Sequence, residues 1–524
     1  MIAAEEVLDM EKSYVQVVLE KSKLFGSRPA FIDAETGKTF SFDDVVSRSK
    51  KLSKILKEIG LRKDDIIAIC MENNINYPIV FLACLFNGIV LHFINPKSTF
   101  YEMEHVLRMS KPRLIFTSNS TFQLISLIRE KFKFIQSHIN LTKHSECVSL
   151  EELLDFDDYN IDDFELAQFD PVEQVAIILN SSGTTGLPKG VLITHDNLRC
   201  MFGYFGNPRF IPSGLDDVTL SVCPFYHLYG VIISGITMVT GMVSVVMSKY
   251  KNETYLELIE TYHVTMLFLV PPMAMILAKS PLVDNYKLDS LKWIFCGAAP
   301  LGIEVQTMLS SRLNVTIQQL YGMTELTGLV TIMPTDVKEF KKTGCVGILT
   351  PGTLAMVRDL ETDLPLGPYQ PGELCFKGRF IMKGYINNPG ASQAAIDKDS
   401  YLRTGDLGYY DQDGYFYVVD RLKELIKYKG FQVPPAELED VINSNESVAD
   451  SAVIGKPDDF AGELAVAFVV KKPYSDISEQ DIIEYVAKHL SREKHIYGGV
   501  IFLDEIPKTP SGKILRKELR KVII

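Results

Sequence analysis

The stretch VAIILNSSGTTGLPKG, residues 175–190, joins an apolar run to a loop of unusual composition. VAIILN is short, apolar and followed by turn residues, which predicts a buried β-strand. The ten residues after it, 181–190, contain three glycines, four hydroxyl side chains and one lysine, so they offer almost no apolar surface to a core. A glycine-rich turn at the carboxyl end of such a strand is where open α/β sheets bind their ligands.

The alternation of strand-like and helix-like segments extends to both sides of this stretch. Further strand-like runs are DIIAICM (65–71), RLIFTS (113–118), TMLFLV (265–270) and WIFCG (293–297). Ser41 and Asp44 have the spacing of a capping box, which predicts the start of a helix. The apolar face of that helix is predicted to hold Val45, Leu52, Leu56 and Ile59, up to Gly60. The pattern predicts a mixed α/β fold with helices packed on parallel-rich sheets.

The chain of 524 residues divides by composition into a large first part and a small last part. From about residue 340, turn signals such as Pro351-Gly352 become dense and alternate with β-branched and aromatic runs. We predict a large N-terminal domain, residues 1–420, made of α/β subdomains and ending in a β-rich one from about 340. A small α+β domain is predicted over residues 421–524, with a helix capped by Ser478 and Asp481.

Composition excludes several classes of protein. The formal net charge of −12 argues against nucleic acid as the main partner, because phosphate backbones are bound by an excess of lysine and arginine. The eight cysteines are scattered and form no CxxC pair, so neither a zinc site nor a disulfide framework is indicated. Reduced thiols in a cytosol-like compartment are the simplest interpretation.

An uncharged stretch, residues 228–248, is long enough to cross a membrane. It divides at Gly241 into a helix-like and a strand-like half, so we predict a buried helix followed by a strand and no membrane span. The N-terminus lacks the regions of a signal peptide and the C-terminus lacks an SKL-type address. We therefore expect a cytoplasmic protein.

The loop at 181–190 has two interpretations on composition alone. Its backbone N–H groups, hydroxyls and Lys189 suit a phosphate cradle, whereas glycines and serines also gather in flexible surface turns. The P-loop pattern GxxxxGK[ST] does not fit, since Pro188 stands five residues after Gly183 and Gly190 follows the lysine. A Walker-type NTPase is therefore excluded.

Eight motifs in a fixed order favour the phosphate cradle. They are SSGTTGLPKGV (181–191), PFYHLYG (224–230), GAAPL (297–301), QLYGMTE (319–325), GELCFKG (372–378), YLRTGD (401–406), VVDRLKELIKYKGFQVPPAELE (418–439) and PKTPSGKILRKEL (507–519). From near residue 30 to its end the chain resembles the acyl-adenylate-forming enzymes, which include acyl-CoA synthetases, 4-coumarate–CoA ligases and beetle luciferases. The resemblance implies ATP, Mg²⁺ and coenzyme A as cofactors. It also implies a carboxylic acid substrate that is joined to AMP with release of pyrophosphate.

The resemblance assigns the nucleotide site residue by residue. The groups implied to hold the β- and γ-phosphates are Ser182, Gly183, Thr184, Thr185, Gly186 and Lys189. Thr324 is implied at the α-phosphate, and Glu325 is the implied ligand of Mg²⁺, a hard cation that prefers carboxylate oxygens. Adenine is implied to lie against Tyr321, in a site completed by Gly297, Ala298, Ala299, Gln319 and Gly322.

Four charged or titratable residues carry the implied chemistry. Asp406 is implied to take both ribose hydroxyls, as an acceptor-only side chain, with Arg421 beside it. Lys513 is the implied adenylation lysine, because an ammonium offsets the repulsion between a carboxylate oxygen and the α-phosphate. Without the motif, its basic surroundings would indicate a solvated tail. His227 is implied to orient the carboxylate, although a lone histidine beside apolar sequence is more often structural.

The family's second half-reaction passes the acyl group to the thiol of coenzyme A after the small, mobile C-terminal domain rotates. Lys423 is the implied hinge residue, which absorbs the change in backbone dihedrals. The face implied to meet the adenylate in this second arrangement holds Lys427, Lys429, Gly430 and Gln432. Gly430 would let the pantetheine arm pass close to the backbone.

The acyl pocket is implied at Tyr226, His227, Tyr229, Gly230, Gly297, Thr327, Gly328 and Leu329. Beetle luciferases tend to have Thr-Thr-Ser-Ala at 326–329 and an arginine near 201, where this chain has Leu-Thr-Gly-Leu and Met201. These apolar residues suit a medium- or long-chain fatty acid or an arylpropenoic acid, and favour an acid–CoA ligase.

Three alternatives remain at this stage. Luciferase-type oxidation of the adenylate ranks second, because beetle luciferases share the motifs. Loading of a carrier protein is less favoured, since no carrier domain follows within the chain. A nucleotide sensor is least favoured, because the charged residues that the chemistry needs are all present. We expect a monomer.

Overall fold

The computed structural model describes residues 2–3, 12–155, 161–181, 188–335, 342, 344–509 and 512–523. Its strands are β1 Ile2–Ala3, β2 Pro29–Asp33, β3 Thr39–Ser41, β4 Ile66–Cys70, β5 Val90–Phe93, β6 Leu114–Thr117, β7 Ser137–Asn140, β8 Val175–Ser181, β9 Lys189–Thr194, β10 Val218–Ser221, β11 Val243–Val246, β12 Met266–Leu269, β13 Trp293–Cys296, β14 Thr316–Met323, β15 Gly328–Ile332, β16 Ile348–Leu349, β17 Leu354–Arg358, β18 Gly372–Lys377, β19 Gly384–Tyr385, β20 Leu402–Tyr410, β21 Phe416–Arg421, β22 Ile426–Tyr428, β23 Phe431–Val433, β24 Val448–Asp458, β25 Gly462–Lys471 and β26 Val500–Phe502.

Its α-helices are α1 Tyr14–Phe25, α2 Phe42–Glu58, α3 Tyr77–Asn87, α4 Phe100–Ser110, α5 Phe122–Lys131, α6 Leu150–Asp155, α7 His195–Phe205, α8 Leu228–Thr240, α9 Asn252–Thr261, α10 Pro271–Lys279, α11 Ile303–Leu313, α12 Pro389–Ala395, α13 Pro435–Ser444, α14 Glu479–His489 and α15 Arg516–Arg520. Short 3₁₀ turns lie at Pro281–Asn285, Thr324–Leu326 and Arg492–Lys494.

Two large sheets, both rich in parallel strands, form the body of the N-terminal part. One runs in the order β19-β9-β8-β5-β4-β6-β7 and is parallel from β8 to β7. The other runs in the order β16-β15-β14-β13-β12-β10-β11-β2-β3 and is parallel from β14 to β2. The predicted α/β fold with parallel-rich sheets is confirmed.

Burial explains why the strand segments are continuous apolar runs rather than alternating ones. All residues of β5 and β6 are buried, as are residues 176–179 of β8. Ile67 of β4 lies opposite Leu91 on one neighbouring strand and Leu114 on the other. Strands covered on both faces by helices need apolar side chains at nearly every position.

The helix caps expected from the sequence form as capping boxes. Ser41 and Asp44 exchange side-chain and backbone hydrogen bonds at the start of α2, and Ser478 and Asp481 do so at the start of α14. The buried face of α2 contains Val45, Leu52 and Leu56. Ile59, however, is 51% exposed. Its assignment to the core is wrong because α2 ends at Glu58, so Ile59 is the C-cap and leaves the helical path.

The uncharged stretch 228–248 forms a helix and a strand, as predicted. The helix α8 ends at Gly241, which adopts the left-handed φ of 83° that glycine tolerates, and β11 follows. No helix in the described part of the chain combines the length and the apolar character needed to cross a membrane.

The turn-rich segment after residue 340 contributes an antiparallel sheet in the order β1-β17-β18-β20-β21. The pairing of its last two strands sets Asp406 directly opposite Arg421. This sheet therefore brings the two residues together that the sequence assigned to the ribose.

The last part of the chain has its own sheet, β23-β22-β25-β24, with β26 beside β25. One of its apolar clusters joins Ile426, Leu438 and Val486, and another lies around Phe468 and Leu519. The buried residues described in the large apolar cluster of the N-terminal part belong to neither of these two clusters. The expected division at 420/421 falls at the end of β21, and it stays a prediction.

Candidate active site

A buried carboxylate, Asp406 of β20, lies at the centre of the site. The Tyr321 hydroxyl donates to Asp406 Oδ2 at 2.6 Å, and Arg421 Nε lies 2.7 Å from Oδ1. Burial raises the pKa of Asp406, and the Arg421 guanidinium opposes this rise. The carboxylate is thus held in one orientation, and each oxygen retains a lone pair for a ligand hydroxyl.

A second carboxylate, Glu325, lies in the 3₁₀ turn Thr324–Leu326 and is buried. The Tyr385 hydroxyl donates to Glu325 Oε1 at 2.8 Å, and the Met382 N–H donates to the Glu325 carbonyl at 2.9 Å. The Lys189 ammonium lies 4.9 Å from the centre of the Tyr385 ring. Tyr385 thus contacts both Glu325, the expected metal ligand, and Lys189, the lysine expected to bind phosphate.

Tyr385 was missed by sequence reasoning. Burial and the neighbouring Glu325 raise its pKa, so the phenol remains a protonated donor. It reaches the site because β19 pairs with β9, where Tyr385 lies opposite Val191. The one available signal was a tyrosine beside Gly384 in a turn-rich segment, and that pattern does not reveal a strand's partner.

The described residues contain no group of three or more His, Cys, Asp or Glu side chains able to hold a metal ion. Glu325 instead offers one buried carboxylate, bonded to Tyr385, whose ring lies beside the Lys189 ammonium. This arrangement fits Mg²⁺, which is commonly bound by one or two carboxylates together with the phosphate oxygens of a nucleotide.

Lys513 approaches the site from the C-terminal part. The preceding Gly512 has a φ of 80° and packs on the junction of β12 and α10. A Cβ there would lie 3.0 Å from Pro272 and 3.2 Å from Val270, so a larger residue would push the segment outward. The backbone of Lys513 is held by Thr509, whose hydroxyl accepts the Lys513 N–H at 3.1 Å.

The charge of Lys513 is coupled to the centre of the site. Although Lys513 is partly open to solvent, the protein around its ammonium and the charge of Arg421 lower its pKa, whereas Glu325 and Asp406 raise it. Burial, assisted by Lys513, lowers the pKa of His227 to about 4. His227 is therefore neutral at neutral pH and presents a hydrogen-bonding ring without adding positive charge. The predicted group of Glu325, Asp406, Arg421 and Lys513 is brought together.

The loop after β13 contains the residues that the resemblance assigns to the adenine site. Ala298 has a φ of 72°, a left-handed conformation that is uncommon for alanine. Such strain often marks a functional site. The Gln319 amide accepts from the Leu301 N–H at 3.1 Å and donates to its carbonyl at 3.0 Å and to Gln306. Gln319 therefore secures the loop that contains Gly297, Ala298 and Ala299.

Gly322 and Gly328 allow β14 and β15 to approach closely. A Cβ on Gly322 would overlap the Gly328 carbonyl. A Cβ on Gly328 would lie 3.1 Å from Met201 Sδ and 3.4 Å from Ile232 Cδ1. Gly328, which the resemblance assigns to the acyl pocket, is therefore packed against apolar side chains of α7 and α8.

Other residues expected around the acyl group have defined structural contacts. The Tyr229 hydroxyl donates to the Phe295 carbonyl at 3.0 Å, and a Cβ on Gly230 would overlap the Pro224 carbonyl. The Tyr226 ring lies 4.6 Å from that of His227, between centroids. Leu329 is buried, and the Tyr204 hydroxyl donates to its carbonyl at 3.0 Å.

Thr327 is buried in a left-handed conformation, with a φ of 50°. A β-branched residue in this region is a genuine outlier. Its hydroxyl has no hydrogen-bond partner within the described ranges. A strained backbone and a buried hydroxyl without a partner coincide next to Glu325, which supports its placement at the substrate site.

The residues expected to serve the second half-reaction lie elsewhere. Lys427, Lys429, Gly430 and Gln432 lie on or between β22 and β23 and are exposed, as is Lys423. The Lys427 backbone N–H donates to Glu463 Oε2 at 2.8 Å. Across the described chain, none of these side chains contacts the cluster of Glu325 and Asp406.

The predicted phosphate residues Ser182, Gly183, Thr184, Thr185 and Gly186 lie outside the described residues. The base of their loop is defined, since Ser181 of β8 lies opposite Lys189 of β9. Lys189 thus reaches the site from the strand that leaves the loop.

Comparison with known proteins agrees with this geometry. The model of the AMP-binding enzyme family matches residues 19–386, and that of the AMP-binding enzyme C-terminal domain matches residues 437–513. A luciferin 4-monooxygenase of Nipponoluciola cruciata is 38% identical over 504 residues, which cover 94% of this chain and 91% of that protein. 4-Coumarate–CoA ligase 3 of Arabidopsis thaliana is 37% identical over 510 residues, which cover 96% and 90%.

The fold has solved counterparts. The crystal structure of ATP-bound MatB from Rhodopseudomonas palustris aligns with a TM-score of 0.87 at 26% identity, and the alignment covers 97% of this chain and 98% of that one. The resemblance inferred from the eight motifs is thereby confirmed. The chain belongs to the AMP-binding enzyme family and is an acyl-adenylate-forming enzyme.

Proposed function

We propose that the protein is an AMP-forming acid–CoA ligase that uses ATP, Mg²⁺ and coenzyme A. A carboxylate oxygen attacks the α-phosphorus of ATP, the bond to the β-phosphate oxygen breaks, and acyl-AMP and pyrophosphate form. The sulfur of coenzyme A then attacks the acyl carbon, AMP leaves, and the thiol proton is released. The observation that carries the proposal is the packing of Gly512, which precedes Lys513, against Val270 and Pro272 of the N-terminal part.

The first half-reaction brings two anions together, so positive charge and positioning supply most of the catalysis. Lys513 neutralises charge between the carboxylate and the α-phosphate, and neutral His227 orients the carboxylate. Asp406 holds the ribose, while Tyr321, Gly297, Ala298, Ala299, Gln319 and Gly322 form the adenine site. Lys189 and Thr324 bind phosphate oxygens together with the loop 182–186. Mg²⁺ held by Glu325 would neutralise phosphate charge.

The second half-reaction requires a different face of the C-terminal unit, by which we mean residues 421–524. Lys427, Lys429, Gly430 and Gln432 would meet the acyl-adenylate after rotation about Lys423. Their exposure in the present arrangement supports this proposal, because they are free to enter a new interface. A division of the chain into residues 1–420 and 421–524 belongs to the same proposal.

The substrate that we propose is a medium- or long-chain fatty acid or an arylpropenoic acid. The apolar border of Met201 and Ile232 beside Gly328 supports an acyl group without charge at this point. Tyr226, Tyr229, Gly230, Thr327 and Leu329 complete the proposed pocket. Relatives of similar identity include 4-coumarate–CoA ligases, whose name indicates an arylpropenoic substrate.

A luciferase is the second candidate, because luciferin 4-monooxygenases are as similar to this chain as the CoA ligases are. In that reaction the acyl-adenylate would be oxidised by O₂ with emission of light. Both candidates share the first half-reaction, so release of pyrophosphate alone does not separate them.

The test is a panel of fatty and arylpropenoic acids, and a beetle luciferin, incubated with ATP and Mg²⁺, with or without coenzyme A. We expect pyrophosphate release with at least one acid and a thioester only when coenzyme A is present. Light emission with luciferin and no thioester with any acid would favour the luciferase. Absence of acyl-AMP with every acid would contradict both candidates.

We also propose that the enzyme is monomeric and cytoplasmic and that it acts without a carrier protein. Light scattering after size-exclusion chromatography tests the first property, and a fluorescent fusion in cells tests the second. A dimer or an organellar signal would contradict them without affecting the chemistry.

A further inference from the structure

The C-terminal unit contacts the N-terminal part at two helix ends. Asp440 lies at the start of α11, and Lys279 at the end of α10 contacts α13. Helix α11 begins after Gly302, which has no side chain to cap it. A Cβ on Gly302 would overlap Asp440 Oδ1, so the Asp440 carboxylate of α13 occupies the space of the missing side chain. It interacts with the Ile303 backbone N–H, one of the donors that the first turn of a helix leaves without a partner.

A neighbouring negative charge opposes the contact that Asp440 makes with α11. Glu304 lies in the first turn of α11, and its negative charge faces the carboxylate of Asp440. Burial and Glu304 raise the pKa of Asp440 to about 6, whereas the Ile303 N–H lowers it. Glu439 of the same helix adds to the rise. Docking of the ionised carboxylate is therefore unfavourable compared with docking of its neutral form.

The C-terminal end of α13 is held by a cation. Lys279, the last residue of α10, donates to the Asn443 carbonyl at 2.7 Å and to the Val448 carbonyl at 3.4 Å. Asn443 lies in the last turn of α13, where carbonyls without helical partners and the helix dipole favour a cation. Asp450 adds an attractive charge, and Lys472 a repulsive one.

The same helix α10 connects this contact to the reaction centre. Pro272 near its start packs on Gly512, which precedes the adenylation lysine, and Lys279 at its end holds α13. A rigid helix with a docking contact at each end sets the position of Lys513. Loss of the Lys279 contact would free the C-terminal unit on one side.

We propose that Lys279 and Asp440 are positioning residues with opposite effects: Lys279 holds the C-terminal unit with Lys513 at the site, and Asp440 keeps this docked state weak enough to open. The inference rests on the proposed function, in which the unit must leave for the second half-reaction. Neither residue is among those assigned to a substrate, and both act through contacts between the two units.

Two variants should shift docking in opposite directions. Asp440→Asn keeps an acceptor oxygen for the Ile303 N–H but removes the charge that faces Glu304, so docking should tighten. Lys279→Met keeps the length of the side chain but removes the donor, so docking should loosen. Lys279→Met should lower the docked-to-open ratio about fivefold, the factor that corresponds to one net hydrogen bond. Asp440→Asn should raise the ratio above that of the wild type.

The experiment measures a distance between spin labels on the two units. Ser311→Cys on α11 and Ala487→Cys on α14 are exposed attachment sites, and Cys147→Ser removes the partly exposed native thiol, since the other cysteines are buried. Pulsed electron–electron double resonance then measures the distance between the two labels and gives the docked and open populations in the full-length protein. Thermal unfolding of each variant confirms that it is folded.

A matched control lies on the same helix. Glu437 of α13 pairs with Lys494 inside the C-terminal unit at 2.6 Å, so Glu437→Gln should leave the distance distribution unchanged. The inference is overturned if Asp440→Asn loosens docking, if Lys279→Met tightens it, or if all variants give the wild-type distribution.

Proton binding provides a second readout. The pKa of Asp440 is higher in the docked state than the ordinary value near 4 of an exposed aspartate. Protonation therefore favours docking, and the docked fraction should fall as the pH rises from about 4, the pKa of the open state, to about 6, the pKa of the docked state. Asp440→Asn should abolish this fall. A docked fraction that rises with pH in the wild type would overturn the assignment.

The kinetic consequence separates this inference from the proposed function. Asp440→Asn should retain pyrophosphate–ATP exchange and slow thioester formation from supplied acyl-adenylate, whereas Lys279→Met should slow the exchange. If no acid is activated at all, the proposed ligase is wrong, yet the spin-label distances still decide the roles of Lys279 and Asp440.

Discussion

Two faces of the C-terminal unit carry lysines of similar expected importance in opposite surroundings. Lys513 follows a glycine packed against Val270 and Pro272, and its charge is coupled to Glu325 and Asp406. Lys427 lies on an exposed hairpin whose polar backbone contact, with Glu463, is inside its own unit. Under the proposed function, the difference means that the present arrangement would serve the joining of acid and nucleotide, and that the second face would need a movement before it could act.

The largest expected effect comes from removing the lysine at the site. Lys513→Ala should slow pyrophosphate–ATP exchange about a thousandfold, since a preorganised charge at developing negative charge contributes this much. Thioester formation from supplied acyl-adenylate should stay close to the wild-type rate. Lys517→Ala, an exposed lysine on α15, is the control. Equal losses in both half-reactions would break the comparison between the faces.

The second face is tested by Lys427→Ala. We expect thioester formation from acyl-adenylate to fall about a hundredfold, because a cation opposite the reacting group is lost in the rotated arrangement. Pyrophosphate–ATP exchange should remain unchanged, since in the present arrangement Lys427 lies on the hairpin that is bonded to Glu463 of its own sheet. Lys456→Ala on the neighbouring β24 serves as the matched control. A loss of exchange alone would show that the hairpin acts in the first step.

A smaller effect is expected at the carboxylate that faces Lys513. Tyr385→Phe removes the hydrogen bond to Glu325 Oε1, and a bond to a charged group is worth about a tenfold factor in binding. The Mg²⁺ concentration needed for ATP binding, measured calorimetrically without acid, should rise by that factor. Tyr369→Phe, a 57% exposed tyrosine, should have no effect. An unchanged Mg²⁺ requirement would argue against a positioning role for Tyr385.

The smallest expected effect tests the placement of Lys513 directly. Because its charge helps burial to lower the pKa of His227 to about 4, Lys513→Met should raise that pKa. The rise should be less than about one pH unit, since burial is the larger cause. Lys427→Met should leave it unchanged. NMR titration of the His227 ring measures both, and equal shifts would contradict the distinction between the faces.

Local patterns in the sequence predicted much of the fold. The capping boxes at Ser41 and Ser478 and the division of 228–248 at Gly241 depend on neighbouring residues, so they were predictable. Ile59 was placed wrongly because a helical repeat does not show at which turn the helix stops.

Only those parts of the candidate site that lie within sequence motifs were predictable. Asp406, Tyr321 and Arg421 stand in separate motifs and meet as expected. The bond from Tyr385 to Glu325 was not predicted, because it depends on the pairing of β19 with β9, strands far apart in the chain.

The sequence by itself determined the family, the strands and helices, and the types of side chain that the chemistry needs. These features follow from short-range patterns: apolar periodicity, glycine-rich turns and motif order. Only the tertiary structure decided which lysine faces the carboxylates, which tyrosine steadies Glu325, and that α13 is joined to α11 through Asp440 and to α10 through Lys279. Such contacts join segments distant in the chain, and their strength comes from burial and charge that exist only after folding.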